Sequence, residues 1–233
     1  GEYLAPYELV RKGIQAEEND LGPIYGYQWR KFGEQYGKVT TEDFIEGGCC
    51  PATGEYQQIY KNVNGLGYFD DVGGADQLKM IVDTLHKNPY DRRMVCSAWN
   101  PNQIDQMGLP PCHYAWNVTV IDDEIHLFWA QRSCDLMLGV PFNIASYASL
   151  LMLLAKESGF KPGNLTGMLV DCHIYANHIE GAKEQLTREP KALPTLKIKD
   201  RNNRFSIFDW EHSDVELLDY SSHGKLVFGG VTV

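Results

Sequence analysis

Two apolar runs, Tyr114–Val120 and Ile125–Ala130, flank Asp122-Asp123, and a run that is apolar nearly all round follows from Ile144 to Ser158. The two short runs are rich in β-branched and aromatic residues, as strands are. The acidic pair between them marks the turn of a hairpin. A helix that is apolar on every side belongs inside the molecule. A hairpin beside a buried helix makes a sheet-and-helix layer, so the expected fold class is α/β.

The rest of the chain fits around that frame. Residues 1–19 read as helical and charged, and Ile24–Phe32 as a strand or the start of a helix. The glycine-rich stretch 33–73 reads as a surface insertion with a short helix around 55–61. Asp76–Lys87 is an amphipathic helix, with Leu78, Ile81, Val82 and Leu85 on one face, stopped at Asn88-Pro89. Residues 93–99 read as a strand, and 165–176 contain another. A Gly139-to-Pro141 turn leads to Asn143 at the start of the apolar helix, and Gly159 ends it. Asn177 reads as the cap of a helix reaching Arg188, with Glu180 completing a capping box. The tail from 193 alternates short strands with turns. Without an internal repeat or linker, 1–233 reads as one domain.

A net charge of −10 argues against nucleic acid or an anionic membrane as the main partner. No run of about 18 purely apolar residues is present, so no membrane-spanning helix is expected. The opening GEYLAPYELVRK has no apolar signal region. Six cysteines without framework spacing then read as reduced thiols in a cytoplasmic protein. Cys49-Cys50 is not a CxxC pair and the histidines are scattered, so no metal is expected.

Chemistry concentrates between Leu109 and Tyr147. Two prolines fix the backbone before Cys112, and His113 follows it. A thiol near cations is a nucleophile at neutral pH; a cytosolic cysteine is otherwise a small buried hydrophobe. His113 is badly placed as the base for Cys112, because adjacent strand residues point to opposite faces. Arg132, Arg92 and Arg93 lie at strand ends and suit a phosphate clamp, or else pair with the surplus carboxylates. Asn143 can read the edge of a base, or cap a helix. His173 and Tyr175, on one face of a strand, can hold a sugar hydroxyl or sit satisfied in a core. The residues alone point to a cysteine nucleophile and an anionic, hydrogen-bonding small substrate.

Six segments go further: DLGPIYGYQWR (20–30), DRRMVCSAWNP (91–101), LPPCH (109–113), QRSCDLMLGVPFNIASYA (131–148), HIYANHIEGAKEQLTREP (173–190) and IFD (207–209). Together they resemble the thymidylate synthase family in content and in order, which implies that family's layered α/β (α+β) fold, a mixed β-sheet packed with helices. That resemblance implies transfer of a one-carbon unit from 5,10-methylenetetrahydrofolate to C5 of deoxyuridylate (dUMP). It implies Cys112 as the thiol that adds to C6, with Tyr25, His113, Asp135 and Asn143 in the catalytic network. Arg132, Ser133, Arg92 and Arg93 would hold the phosphate, the last two donated across a homodimer formed by sheet faces. Gln131 and Asn143 would order the uracil, and His173 and Tyr175 the 3′-hydroxyl. Asp135, Leu138, Gly139 and Phe142 would meet the folate.

The departures are in the flanks. Val170-Asp171 stands where the family has Gly-Asp, and the tail from Ser221 differs from the family's closing segment. The family's N-terminal arginine, glutamate and tryptophan have no counterpart, so the chain is read as a fragment. An altered folate-side lid leaves a hydroxymethylase, with water in place of hydride, as the alternative. A non-catalytic nucleotide-binding homologue is a further one.

Overall fold

A computed structural model describes residues 21–34, 74–199 and 206–229, and the backbone of 44–45, 59–62 and 65–68. The chain divides into two compact units, 1–77 with 98–110, and 78–97 with 111–233.

In the first unit the aromatic stretch resolves as a helix, α1 (Tyr25–Lys31). Its inward residue is polar. Gln28 is fully buried, and its Nε2 donates to the Pro23 carbonyl at 2.8 Å and to Gln103 Oε1 at 2.7 Å. Asn100 Nδ2 donates to the same Gln103 oxygen at 2.9 Å. Interlocked amides of this kind avoid the cost of an unpaired buried polar group. Gly22 (φ 77°) lets the chain pass the Gln106 carbonyl, which a Cβ at this position would strike. Of the helix expected around 55–61, residues 59–61 are strand, and 55–58 lie outside the described residues. β1 (Phe44–Ile45), β2 (Ile59–Asn62) and β3 (Gly65–Tyr68) form an antiparallel meander. Asn62 pairs with Gly65, so the two residues 63 and 64 connect β2 to β3. The expected helix over 1–19 lies outside the described residues.

The second unit holds the hairpin. α2 (Gln77–Lys87) enters it, burying Ile81, Val82 and Leu85 as their spacing predicts. The main sheet has the order β4 (Val95–Ser97), β5 (His113–Ile121), β6 (Glu124–Gln131), β8 (Lys161–Leu169). The first three strands are antiparallel, and β8 runs parallel to β6. Asp122 and Asp123 both take positive φ (49° and 63°), the conformation a two-residue hairpin needs. β8 begins four residues before the strand expected within 165–176, because its opening Lys-Pro-Gly-Asn carries turn residues rather than strand formers.

α3 (Gly139–Ser158) crosses from β6 to β8 and buries Val140, Tyr147, Leu150, Leu151, Leu153, Leu154 and Ala155. It packs on β6 and β8, with Tyr147 stacked on Trp129, and the buried Trp116, Val118, Leu127 and Trp129 share one sheet face by alternation. The helix starts earlier than the composition suggests. Pro141 lies in its first turn, where a missing N–H costs nothing, and Asn143 is therefore inside the helix rather than its cap. By length and composition α3 is long and apolar enough to cross a membrane, against the expectation that no such run exists. Its packing on the sheet makes it the core helix of this unit. Leu154→Ala, at a fully buried position, is expected to cost about 2–5 kcal/mol. Urea unfolding reads this directly, and a loss below about 1 kcal/mol would mean that α3 is not the core.

The opposite sheet face carries Val95, Phe128 and Met168, between 37% and 54% exposed. A short parallel pair, β7 (Cys134–Asp135) and β9 (Cys172–His173), extends the region beyond β6. α4 (Ile179–Leu186) follows a 3-10 turn, with His178 and not Asn177 at its cap position and no side-chain cap bond. β10 (Thr195–Ile198) pairs antiparallel with β11 (Val215–Leu218), as the alternating tail predicts.

Candidate active site

A hairpin brings its own ends together, so the start of β5 lies beside the end of β6. Cys112, half-buried, sits just before β5. Arg132, just after β6, grips that peptide twice. Its backbone N–H donates to the Cys112 carbonyl at 2.8 Å, and its Nε donates to the Pro111 carbonyl at 3.1 Å. The prolines thus fix a carbonyl that aims the guanidinium as well as fixing the thiol.

Gln131 ends β6 and is 2% exposed. Its Nε2 donates to the Ser133 carbonyl and to Asn143 Oδ1, both at 3.0 Å. Its Oε1 accepts from Trp129 Nε1 at 3.4 Å. The Asn143 amide is therefore held with its oxygen toward Gln131, which leaves a second lone pair on Oδ1 and the donors on Nδ2. Trp129 stacks on Tyr147, with ring centroids 5.4 Å apart and 14° between planes. The Tyr147 hydroxyl lies 2.9 Å from His113 Nδ1. A continuous set of contacts thus joins His113 to Asn143 through Tyr147, Trp129 and Gln131. Tyr147 and Trp129 were missed in the sequence. The available signal was spacing: Tyr147 stands one turn after Asn143 on the same helix face.

Burial pushes the His113 imidazole down to about 4, so it is neutral at physiological pH. The unfolded chain takes this proton first, between its ordinary value of 6.5 and about 4. Stability from neutral His113 is complete above pH 6.5 and is lost as pH falls toward 4, by roughly 3 kcal/mol at most. His113→Asn should flatten the acid limb of unfolding free energy against pH. An unchanged slope would assign that limb to other groups.

Asp135 Oδ1 accepts from the backbone N–H of Met137 at 3.0 Å and of Leu138 at 3.3 Å, turning the chain into α3. Gly139 packs against it; an added Cβ would lie 3.5 Å from Asp135 Cβ and 3.8 Å from Asn143 Oδ1. Asp135 and His173 are directly paired across β7 and β9, and the Leu136 N–H donates to the His173 carbonyl at 3.0 Å. His173 Nδ1 faces the Asp171 carbonyl at 2.9 Å, and Tyr175 meets the His173 ring edge-to-face at 5.1 Å. Leu138 and Phe142 are exposed along the start of α3, Phe142 by 74%. Phe142, Leu186, Arg188, Lys191, Tyr220 and Phe228 line an open groove of about 950 Å³.

Two expected groups stand apart. Arg92 and Arg93 lie on the exposed turn before β4, and Arg93 forms an ion pair with Asp91 at 2.7 Å. Hydrogen bonds from Arg93 hold the Asp91 carboxyl down at about 2. Tyr25 belongs to the first unit.

A family model described as thymidylate synthase matches residues 10–230. The bifunctional dihydrofolate reductase-thymidylate synthase of Paramecium tetraurelia is 41% identical over 225 residues, covering 97% of this chain and 41% of the relative. The thymidylate synthase of Saccharomyces cerevisiae is 40% identical over 216 residues, 89% of this chain and 62% of that one. The human thymidylate synthase is 40% identical over 207 residues, 89% of this chain and 57% of that protein. Across such relatives the chain spans between 34% and 62% of their length.

Proposed function

The chain belongs to the thymidylate synthase family, and on that premise we propose that it converts deoxyuridylate and 5,10-methylenetetrahydrofolate to thymidylate and dihydrofolate. The observation that carries this reading is the joining of Cys112, Arg132, Gln131 and Asn143 at one end of the hairpin. Arg132 and Ser133 bind the phosphate, with the guanidinium aimed by the Pro111 carbonyl. Asn143, oriented by Gln131, accepts from uracil N3–H and donates to O4. His173 and Tyr175 take the 3′-hydroxyl. Cys112 adds to C6, making C5 nucleophilic, and is expelled at the end, so one hard substitution becomes several easier steps. His113 stays neutral and positions hydrogen bonds rather than supplying charge.

The groove beside Phe142 and the bare Gly139 suit a flat pterin-bearing ligand, and Asp135 offers a carboxylate beside it. The folate supplies the one-carbon unit and the hydride. Asp135, Leu138, Gly139 and Phe142 would hold it.

A homodimer through the sheet face is part of the proposal. Val95, Phe128 and Met168 are exposed apolar side chains on that face, and a partner's Arg92 and Arg93 would complete the phosphate clamp. Six cysteines without framework spacing suit a cytoplasmic setting. Incubation with deoxyuridylate and methylenetetrahydrofolate tests the whole. Dihydrofolate with a methylated product supports the reading. Tetrahydrofolate with a hydroxymethyl product would make it a hydroxymethylase, and no turnover by the full-length protein would favour a binding homologue. A turning-over monomer in light scattering would remove the dimer.

A further inference from the structure

We propose that Cys134 and Cys172 form a reversible oxidation site, closing a disulfide between β7 and β9 in response to low-molecular-weight disulfides. The two residues are directly opposite in the parallel pair, so both side chains project from the same face. Adjacent strands lie about 4.8 Å apart, inside the Cα separation of roughly 4.4–6.8 Å that a disulfide spans. The register already matches, and the two strands have only to draw together by about 1 Å for the bond to form.

The two thiols divide the labour that such an oxidation needs. Cys172 is exposed and is the one an oxidant meets; Cys134 is fully buried beneath it. Each sulfur rests 3.8 Å from a backbone carbonyl three residues earlier, Gln131 for Cys134 and Leu169 for Cys172. Those weak contacts hold neither rotamer firmly.

With glutathione disulfide the electrons balance as follows. The Cys172 thiolate attacks one sulfur, forming a mixed disulfide and releasing one glutathione. Deprotonated Cys134 then attacks the Cys172 sulfur and releases the second. The protein loses two electrons and two protons, and one glutathione disulfide becomes two thiols. Burial first, then the neighbouring Cys172 and Cys112, push the Cys134 thiol up to about 11. The second step is therefore slow at neutral pH and speeds up about tenfold per pH unit below that value.

Strand spacing of about 4.8 Å exceeds the mean Cβ separation of about 3.8 Å in a relaxed disulfide. The bond is thus strained, and strained disulfides are the easily reduced, regulatory kind. Its effect on turnover rests on the function proposed above. The next pair along the ladder is Asp135 and His173. Drawing the strands together displaces both, and a misplacement of about 1 Å can cost on the order of a hundredfold in rate.

The test treats reduced full-length protein with glutathione disulfide, alkylates free thiols and maps peptides without reduction. A linked Cys134–Cys172 peptide, restored by dithiothreitol and absent in Cys172→Ala, is the expected result. A persistent glutathione adduct on Cys172 beside an alkylatable Cys134 would overturn it. So would a disulfide that includes Cys112, or no thiol loss at all. Under conditions where Cys112 remains alkylatable, turnover should fall at least tenfold in the wild type and not in Cys172→Ala. If reduced protein shows no turnover, the function proposed above fails while the peptide map still decides the disulfide.

Discussion

Cys112→Ser should leave the fold and nucleotide binding intact and lower turnover by about a thousandfold or more. A hydroxyl in place of the thiol keeps nearly the same volume in a half-buried position. Its ordinary pKa lies far above that of a thiol, so almost no nucleophilic anion forms at neutral pH. Two contacts of Arg132 go to the backbone carbonyls of Pro111 and Cys112, and a side-chain exchange does not remove these. Phosphate binding should therefore survive while chemistry stops. Fluorodeoxyuridylate with methylenetetrahydrofolate supplies the check, because it traps the enzyme as a covalent adduct. Wild-type protein should carry the added mass on the peptide containing Cys112, and the serine variant should carry none. An adduct on Cys134 or Cys172 would reassign the nucleophile and undo the account of the site.

The parts legible in sequence were those set by local signals. Asp122-Asp123 dictates a tight turn, and the hairpin that follows brings Cys112 to Arg132. Leu78, Ile81, Val82 and Leu85 mark the buried face of α2. What sequence missed depends on partners distant in the chain. Asn143 looks like a helix cap until Pro141 is seen to occupy the first turn, placing the amide against Gln131. Tyr147 looks like one more apolar position, yet its hydroxyl meets His113, 34 residues away. The segment 161–164 reads as a loop because β6, which pairs with it, lies on the far side of α3. The capping box at Asn177 fails because the chain first makes a 3-10 turn, moving the helix start to Ile179.

Asn143→Asp should reverse the choice of base. In the wild type, Gln131 Nε2 donates to Asn143 Oδ1 and so fixes which end of the amide is donor and which is acceptor. Uracil presents a donor at N3 and an acceptor at O4, and the amide matches both. An ionised carboxylate keeps the contact with Gln131 and the acceptor for N3–H, but it cannot donate to O4. It sets a negative charge against that oxygen instead. A site built for a hydrogen bond that the substrate can no longer make discriminates strongly. Activity on deoxyuridylate, as kcat/KM, should fall by about a hundredfold or more. Deoxycytidylate offers an amino group at C4, which the carboxylate can accept, so C5 chemistry on that nucleotide should appear. Gln131→Glu is the companion variant. It removes the amide donor to Asn143 while leaving Asn143 itself in place, so the uracil reader loses its orientation but not its groups. It should weaken activity on deoxyuridylate without creating activity on deoxycytidylate. If Asn143→Asp instead retains wild-type kcat/KM on deoxyuridylate, the amide does not read the base, and the pairing with Gln131 is only a packing contact of α3 on β6.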